Sequence, residues 1–362
     1  MSDLPHGRIH NFSAGPAALP LEVLQELPAG IFNTGQGLGI LEMSHRGVEF
    51  DGIFRRSQAL MRKLLGLSDD HEVLFLQGGA SLQFLMMPMN LLQGEKADYI
   101  GTGAWASKAV KEAEHSGRPR LAWDGADENY RRCPRTWDAD PDALYTHFTS
   151  NNTIAGTQYP DLPDHDGRLI CDASSDILCR AWDWSRCDLI YAGAQKNLGP
   201  SGVTIVVLSP WAVERSKAVQ KTLPTQLSYN NHIDKGGLLN TPNSWGIWVA
   251  ERVLEWIVAT GLDVIEARNQ AKADALYGLL DGTEFYEPHA ARDSRSLMNV
   301  TWRIHDPDLE PVFVKEALAA GLSGLKGHRS VGGLRASIYN AVTQEAVDAL
   351  CDFLRHFEKT HG

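Results

Sequence analysis

The sequence predicts an α/β protein, a mainly parallel, doubly wound sheet flanked by helices and followed by a smaller α+β unit. Three observations carry this. Short β-branched and aliphatic runs such as Val73-Leu-Phe-Leu76, Arg168-Leu-Ile-Cys171 and Thr204-Ile-Val-Val-Leu208 are bounded by turn chemistry, as buried strands are. These runs alternate with helical periodicity, the mark of parallel strands joined by crossovers. Beyond Thr260 the pattern changes to fewer, differently ordered elements, and a chain of 362 residues is long enough for two domains.

Asn11-Phe-Ser-Ala-Gly-Pro is a turn-rich entry before a helix from about Leu21. Asn33-Thr-Gly-Gln-Gly-Leu-Gly39 contains G-x-G-x-G, but no strand precedes it, so it reads as a flexible connection rather than a nucleotide loop. Ser44-His-Arg-Gly47 follows, then a helix burying Ile53, Phe54, Leu60, Leu64 and Leu65. The strand at Val73 runs into Gln77-Gly-Gly-Ala-Ser81 and a helix over 82–92, with Ser81 as its cap. Strand, glycine turn and helix N-terminus together expose backbone N–H groups to an anion such as phosphate. A strand from Asp98 ends at Trp105, with a helix from Ser107, and Tyr145–Thr149 is a further strand. Ser244 is read as the cap of a helix reaching Thr260, and Gly261 as its stop. A second long helix covers 263–280. Strands over 297–304 and 334–339 frame a helix over 309–320, and a last helix starts at Thr343.

Lys plus Arg number 34 against 45 acids, a formal charge of −11, which disfavours a nucleic-acid or membrane-surface partner. No run approaches the roughly 18 apolar residues of a membrane span. Met1-Ser-Asp-Leu-Pro5 lacks the blocks of a signal peptide, so a cytoplasmic protein is expected. Five cysteines without a C-x-x-C pair read as buried reduced thiols, and the histidine spacings predict no metal.

Chemistry concentrates in Asp188–Leu208, where an apolar strand, a polar break carrying Lys196, a Gly-Pro-Ser-Gly turn and a second strand follow one another. A lysine at such a lip is held rigidly by the sheet. Asp172, ending another strand, lies 24 residues before Lys196, about one crossover plus a strand. A lysine and a carboxylate on neighbouring strand ends suit pyridoxal 5'-phosphate (PLP): the amine forms a Schiff base and the carboxylate keeps the pyridine nitrogen protonated.

The glycine turn, Trp105, Asp172 and Lys196, in this order, resemble the fold-type-I PLP enzymes, whose large domain holds a mainly parallel, seven-stranded sheet. Asn11-Phe-Ser-Ala-Gly-Pro, Ser44-His-Arg-Gly, Tyr191-Ala-Gly-Ala-Gln-Lys-Asn-Leu-Gly-Pro-Ser-Gly, Asn240-Thr-Pro and Gly327-His-Arg-Ser-Val-Gly-Gly-Leu-Arg-Ala-Ser-Ile-Tyr-Asn narrow the resemblance to the phosphoserine aminotransferase family. The resemblance implies segments 1–15, 16–260 and 261–362: an N-terminal piece on the small domain, a PLP-binding domain and a small domain. It implies a cytoplasmic homodimer with shared active sites, PLP on Lys196, and Ala80, Ser81, Trp105, Thr153, Asp172 and Gln195 around the cofactor. Asn240 and Thr241 are implied to reach the cofactor phosphate of the neighbouring subunit. His45, Arg46, His328, Arg329 and Arg335 are implied to bind substrate. Some relatives carry arginine where Ser81 stands, which leaves this pocket one cation short of theirs, and Asn152 stands where an acid is frequent.

The arginines make sense independently. A substrate with a carboxylate at one end and a phosphate or second carboxylate at the other needs two cationic anchors, and the guanidinium fork binds such groups bidentately. The expected reaction is amino transfer between glutamate and 3-phosphohydroxypyruvate, giving O-phosphoserine and 2-oxoglutarate for serine synthesis. A related phosphorylated 2-oxo acid of pyridoxine synthesis is a second candidate substrate. The rivals are an alanine–glyoxylate or serine–glyoxylate aminotransferase, and a cysteine desulfurase, which the absence of a cysteine in a Gly/Ser-rich loop disfavours. A non-catalytic phosphate-binding module would explain Gly78-Gly79 but not Lys196 with Asp172.

Overall fold

The computed structural model describes residues 5–362. The first four residues, in which leader features were sought and with which the 1–15 segment begins, lie outside the described residues. Strand β1 (His10–Asn11) precedes helices α1 (Leu21–Phe32) and α2 (Val48–Leu65). Strands and helices then alternate through β2 (Glu72–Leu76), α3 (Gly79–Leu91), β3 (Lys96–Gly101), α4 (Ala104–Ala113) and β4 (Arg118–Asp124). After β5 (Thr146–Thr149) comes a small hairpin, β6 (Asn151–Asn152) and β7 (Thr157–Gln158). The sheet strands β8 (Leu169–Asp172), β9 (Cys187–Gly193) and β10 (Thr204–Leu208) follow, then α5 (Pro210–Lys217) and α6 (Tyr229–Ile233). Two long helices, α7 (Ser244–Thr260) and α8 (Leu262–Asp281), lead to β11 (Tyr286–Pro288) and β12 (Asn299–Ile304). The chain closes with α9 (Leu309–Ala319), β13 (Leu322–Ser323), β14 (Leu334–Ser337) and α10 (Gln344–His361).

The main sheet has seven strands in the order β2-β10-β9-β8-β5-β3-β4. Only β10 runs against its neighbours, pairing antiparallel with both β2 and β9, while the other pairings are parallel. Six strands therefore point the same way, and their carboxyl ends share one edge with the start of β10. Side chains alternate across the pleat. Ile190, Cys171, Phe148 and Ile205 enter the core against α2 and α7, whereas Leu189, Tyr191, Ile170 and Val206 enter the opposite core against α3 and α4. Burial on both faces is why these strands read as nearly unbroken apolar runs.

The C-terminal sheet, β11-β12-β14, packs Val300, Trp302 and Ile304 against Leu276 of α8, Phe313 of α9 and Leu350 and Phe357 of α10. Phe12 joins the same core, and β1 pairs in parallel with β13. Thr343 caps α10 by accepting the Ala346 N–H at 3.2 Å.

Several boundaries depart from expectation. Helix α3 begins at Gly79 rather than Leu82, because Gly78 and Gly79, at φ of 93° and 69°, complete the turn before Ser81 is reached. Ser81 lies exposed in the first turn and caps nothing. Strand β3 stops at Gly101, so Trp105 stands on α4 rather than at a strand end. Asn243, not Ser244, caps α7, its side-chain oxygen accepting the Gly246 N–H at 2.9 Å. The Asn33–Gly39 connection is tied down by Asn33, whose Oδ1 accepts the N–H groups of Gly35 at 2.8 Å and Gly37 at 2.9 Å. All five cysteines are buried and unpaired.

Candidate active site

After β9 the chain turns tightly: the N–H groups of Leu198 and Gly199 both reach the Ala194 carbonyl, and Ala194 N–H bonds Val203 O. This short return swings half-buried Lys196 over the carboxyl edge of the sheet. Its Nζ donates to the Thr153 hydroxyl at 3.0 Å. Burial pushes the amine down to about 8; Asp172 pulls it back up, Arg335 pushes it further down and Asp176 pulls up weakly. At pH 7 about a tenth of such an amine is unprotonated, against about one part in three thousand at the ordinary value, so it is poised as a nucleophile.

Asp172 ends β8, which lies beside β9 in parallel, with Asp172 opposite Tyr191 on one side and Thr149 on the other. The carboxylate is 4 % exposed and accepts the Ser174 N–H at 3.0 Å. Burial raises its pKa, against the lowering effects of Ser174 and of Lys196. The structure thus keeps an acid inside the fold with a lysine as its charged neighbour, a costly arrangement unless a further cation is to be met there.

Thr153 lies in the β6–β7 turn, and Asn152 builds that turn. Asn152 Oδ1 accepts the N–H groups of Ile154 at 2.9 Å and Ala155 at 3.2 Å, while its Nδ2 donates to the Thr102 carbonyl. An amide can accept at one end and donate at the other, which accounts for asparagine here. From the C-terminal sheet, Arg335 Nη1 donates to the Thr153 carbonyl at 3.1 Å. Its Nε is buried and meets no hydrogen-bond partner among the described residues.

Around this centre, Gly78 and Gly79 open α3 with no side-chain cap and no acid in its first turn. Ala80 packs on the core beside it. Trp105 is half-buried against Phe84, with the Lys108 ammonium 4.3 Å above its ring. His328 lies within the field of Arg335, Arg329 and Lys108, and burial together with these cations lowers its pKa. The Ser330 N–H donates to His328 Nδ1 at 3.2 Å, and the Ser330 hydroxyl lies 2.7 Å from the same nitrogen. Exposed Arg329 is on the same loop. Gln195 is half-buried, and its carbonyl accepts the Ala17 N–H at 2.9 Å, pinning the N-terminal turn beside Lys196.

Four further expected site residues stand on separate loops. Half-buried His45 and exposed Arg46 stand in the loop before α2, and half-buried Asn240 and exposed Thr241 in the loop before α7. Among the described residues no hydrogen bond of this chain joins them to Lys196, Asp172 or Arg335. The nearest link runs from Gln77 Nε2 to the Thr241 carbonyl at 3.2 Å, next to the glycine turn. Conversely, sequence reading gave no role to Asn152, Lys108 or Tyr339. The Tyr339 hydroxyl bonds the Ala14 carbonyl at 3.0 Å and Asn299 at 3.2 Å beside Thr153. The only sequence signal for Tyr339 was its place at the end of the motif that begins at Gly327.

Comparison with known proteins agrees with this geometry. The class-V aminotransferase family model matches residues 9–350. The phosphoserine aminotransferase of Desulfatibacillum aliphaticivorans is 50 % identical over 361 residues, covering 98 % of this chain and 99 % of its own. That of Lysinibacillus sphaericus is 48 % identical with the same coverage. Among solved structures, the enzyme of Bacillus circulans subsp. alkalophilus superposes with a TM-score of 0.94 at 46 % identity, covering 98 % and 99 % of the two chains. The PLP-bound enzyme of Trichomonas vaginalis gives 0.88 at 32 % identity, covering 96 % and 100 %. With matches of this identity along nearly its whole length, the chain belongs to the phosphoserine aminotransferase family within the class-V aminotransferases.

Proposed function

We propose that this chain moves an amino group reversibly between glutamate and 3-phosphohydroxypyruvate, giving 2-oxoglutarate and O-phosphoserine, with PLP as its cofactor. One observation carries the reading: an amine with its pKa brought to about 8 is held by Thr153 beside a buried carboxylate on the neighbouring parallel strand. The residues present fit PLP. Lys196 supplies the nucleophilic amine, Asp172 is a buried acid suited to a protonated ring nitrogen, and the uncapped amides at the start of α3 suit a phosphate. When bound, PLP supplies an electron sink that makes the substrate's Cα proton removable.

With the cofactor bound, Lys196 would be the residue that carries that proton as a general base and returns it as a general acid. Asp172 holds the proton on the ring nitrogen. Ala80, Ser81, Trp105, Thr153 and Gln195 line the cofactor, with Trp105 offering its ring as a stacking face. Arg335, anchored through Thr153, grips the α-carboxylate that all substrates share. His328 and Arg329 face the other end, where phosphate or the glutamate γ-carboxylate would bind, and His45 and Arg46 complete that subsite.

A second copy of the chain supports this division of labour. Among the described residues, His45, Arg46, Asn240 and Thr241 make no hydrogen bond to Lys196, Asp172 or Arg335 of their own chain, which suits a role in the neighbouring subunit's site. Leu41 and Val48, which flank His45 and Arg46 in sequence, are 65 % and 81 % exposed, and Phe32 at the end of α1 is 81 % exposed. Apolar side chains so exposed mark an interface. We read the protein as a homodimer with shared sites, residues 16–260 as its cofactor-binding part, 261–362 as the smaller one, and the cytoplasm as its place of work. The same pocket would accept a related phosphorylated 2-oxo acid.

The test is substrate choice. Two charge-assisted hydrogen bonds at roughly 1.5–3 kcal/mol each imply at least about a hundredfold preference in kcat/KM for 3-phosphohydroxypyruvate over hydroxypyruvate. Equal use of both would leave only a general aminotransferase.

A further inference from the structure

Helix α8 buries a lysine that pairs with no carboxylate among the described residues. Lys272 is 1 % exposed, and its Nζ donates to the carbonyls of Ile338 and Tyr339 at 2.8 Å each and of Val342 at 2.9 Å. An ammonium has three N–H donors, and all three are used. Burial pushes this amine down to about 7, with Cys179 pulling up and Arg268 pushing down. Removing a cation from water without a carboxylate partner is costly, so the three carbonyls must be worth fixing.

The segment so fixed is the link from β14 to α10, and it reaches the active site at two points. The Asn340 N–H donates to Asn197 Oδ1 at 3.1 Å, and Asn197 directly follows Lys196. Asn340 also donates through Nδ2 to the Leu178 carbonyl at 2.9 Å and accepts from Asn269, three residues before Lys272 on the same helix, at 2.8 Å. Tyr339, whose carbonyl Lys272 holds, lies by Thr153, the residue that bonds Lys196 Nζ. A path of hydrogen bonds and short backbone steps therefore leads from Lys272 to Asn197, next to Lys196, and through Tyr339 to the neighbourhood of Thr153.

From this geometry we infer that Lys272 is a positioning residue for the amino-transfer chemistry: by clamping the 338–342 link, it sets where Asn197 and Thr153 hold Lys196. The inference rests on Lys196 being the cofactor lysine.

The experiment is a pH titration of the bound cofactor's absorbance in the holoenzyme, for wild type, Lys272→Met, Asn340→Ala and the double variant, with Tm measured alongside. Lys272→Met should move the titration midpoint by at least about half a pH unit, roughly threefold in proton affinity, and lower kcat more than it changes KM. Asn340→Ala should move it in the same direction, and the double variant should shift less than the sum of the two. If Lys272→Met does not fold, the Asn340→Ala midpoint decides alone. A lower Tm with an unmoved midpoint, or strictly additive shifts, would overturn the inference and leave Lys272 a stabilising residue only. A wild-type protein with no cofactor band would instead overturn the Lys196 reading, and this inference with it.

Discussion

Lys196 Nζ donates to Thr153 Oγ1 at 3.0 Å, joining the return loop after β9 to the β6–β7 turn. Thr153 is in turn held by Arg335 through its carbonyl and by Asn152 through the turn. The hydrogen bond thus ties the amine to the β6–β7 hairpin and, through Arg335 of β14, to the C-terminal sheet.

Lys196→Ala should leave the fold intact, since a half-buried side chain facing the site is removed, and should abolish amino transfer. Loss of acid–base action alone is worth about 10²–10⁴ in rate. Circular dichroism and steady-state assay check both parts, and turnover within about tenfold of wild type would rule out Lys196 as the transfer base.

The lowered pKa gives loading a defined pH dependence. Only the unprotonated amine attacks an aldehyde, and its fraction rises about tenfold per pH unit below the pKa and levels above it. The rate at which cofactor-free protein takes up PLP should therefore climb to about pH 8 and then flatten. A climb continuing towards pH 10 would mean that Lys196 is not depressed.

Asp172→Asn should still bind cofactor but lose most activity, because a neutral amide cannot stabilise a protonated ring nitrogen. Stopped-flow measurement of the glutamate half-reaction would show this, and an unchanged rate would remove Asp172 from the chemistry.

Arg329→Ala should reduce kcat/KM for 3-phosphohydroxypyruvate and for glutamate while sparing hydroxypyruvate, whereas Arg335→Ala should impair every substrate. Comparing three substrates with two variants separates the two anchors; identical profiles would mean that they serve one subsite.

Much of this was legible because buried parallel strands leave a strong trace. Thr204-Ile-Val-Val-Leu208 has no polar face to blur it, and Asp172 and Lys196 announce themselves as charges ending such runs. The start of α3 was not legible, since two left-handed glycines shift the first helical turn ahead of the residue that looks like a cap. Trp105 was misplaced for a related reason: β3 ends at Gly101 and α4 begins at Ala104, leaving a turn too short to see in a mixed stretch. Lys272 has meaning only through partners distant in sequence, such as Ile338, and half of Asn152's role, its bond to the Thr102 carbonyl, is equally non-local; no local pattern encodes either.

The central claim is that Lys196 carries the cofactor. Borohydride reduction of the PLP-loaded protein, followed by peptide mass spectrometry, should place the phosphopyridoxyl mass on the peptide containing Lys196 and on no other lysine at comparable yield. A label on any different lysine, or none on Lys196, would contradict it.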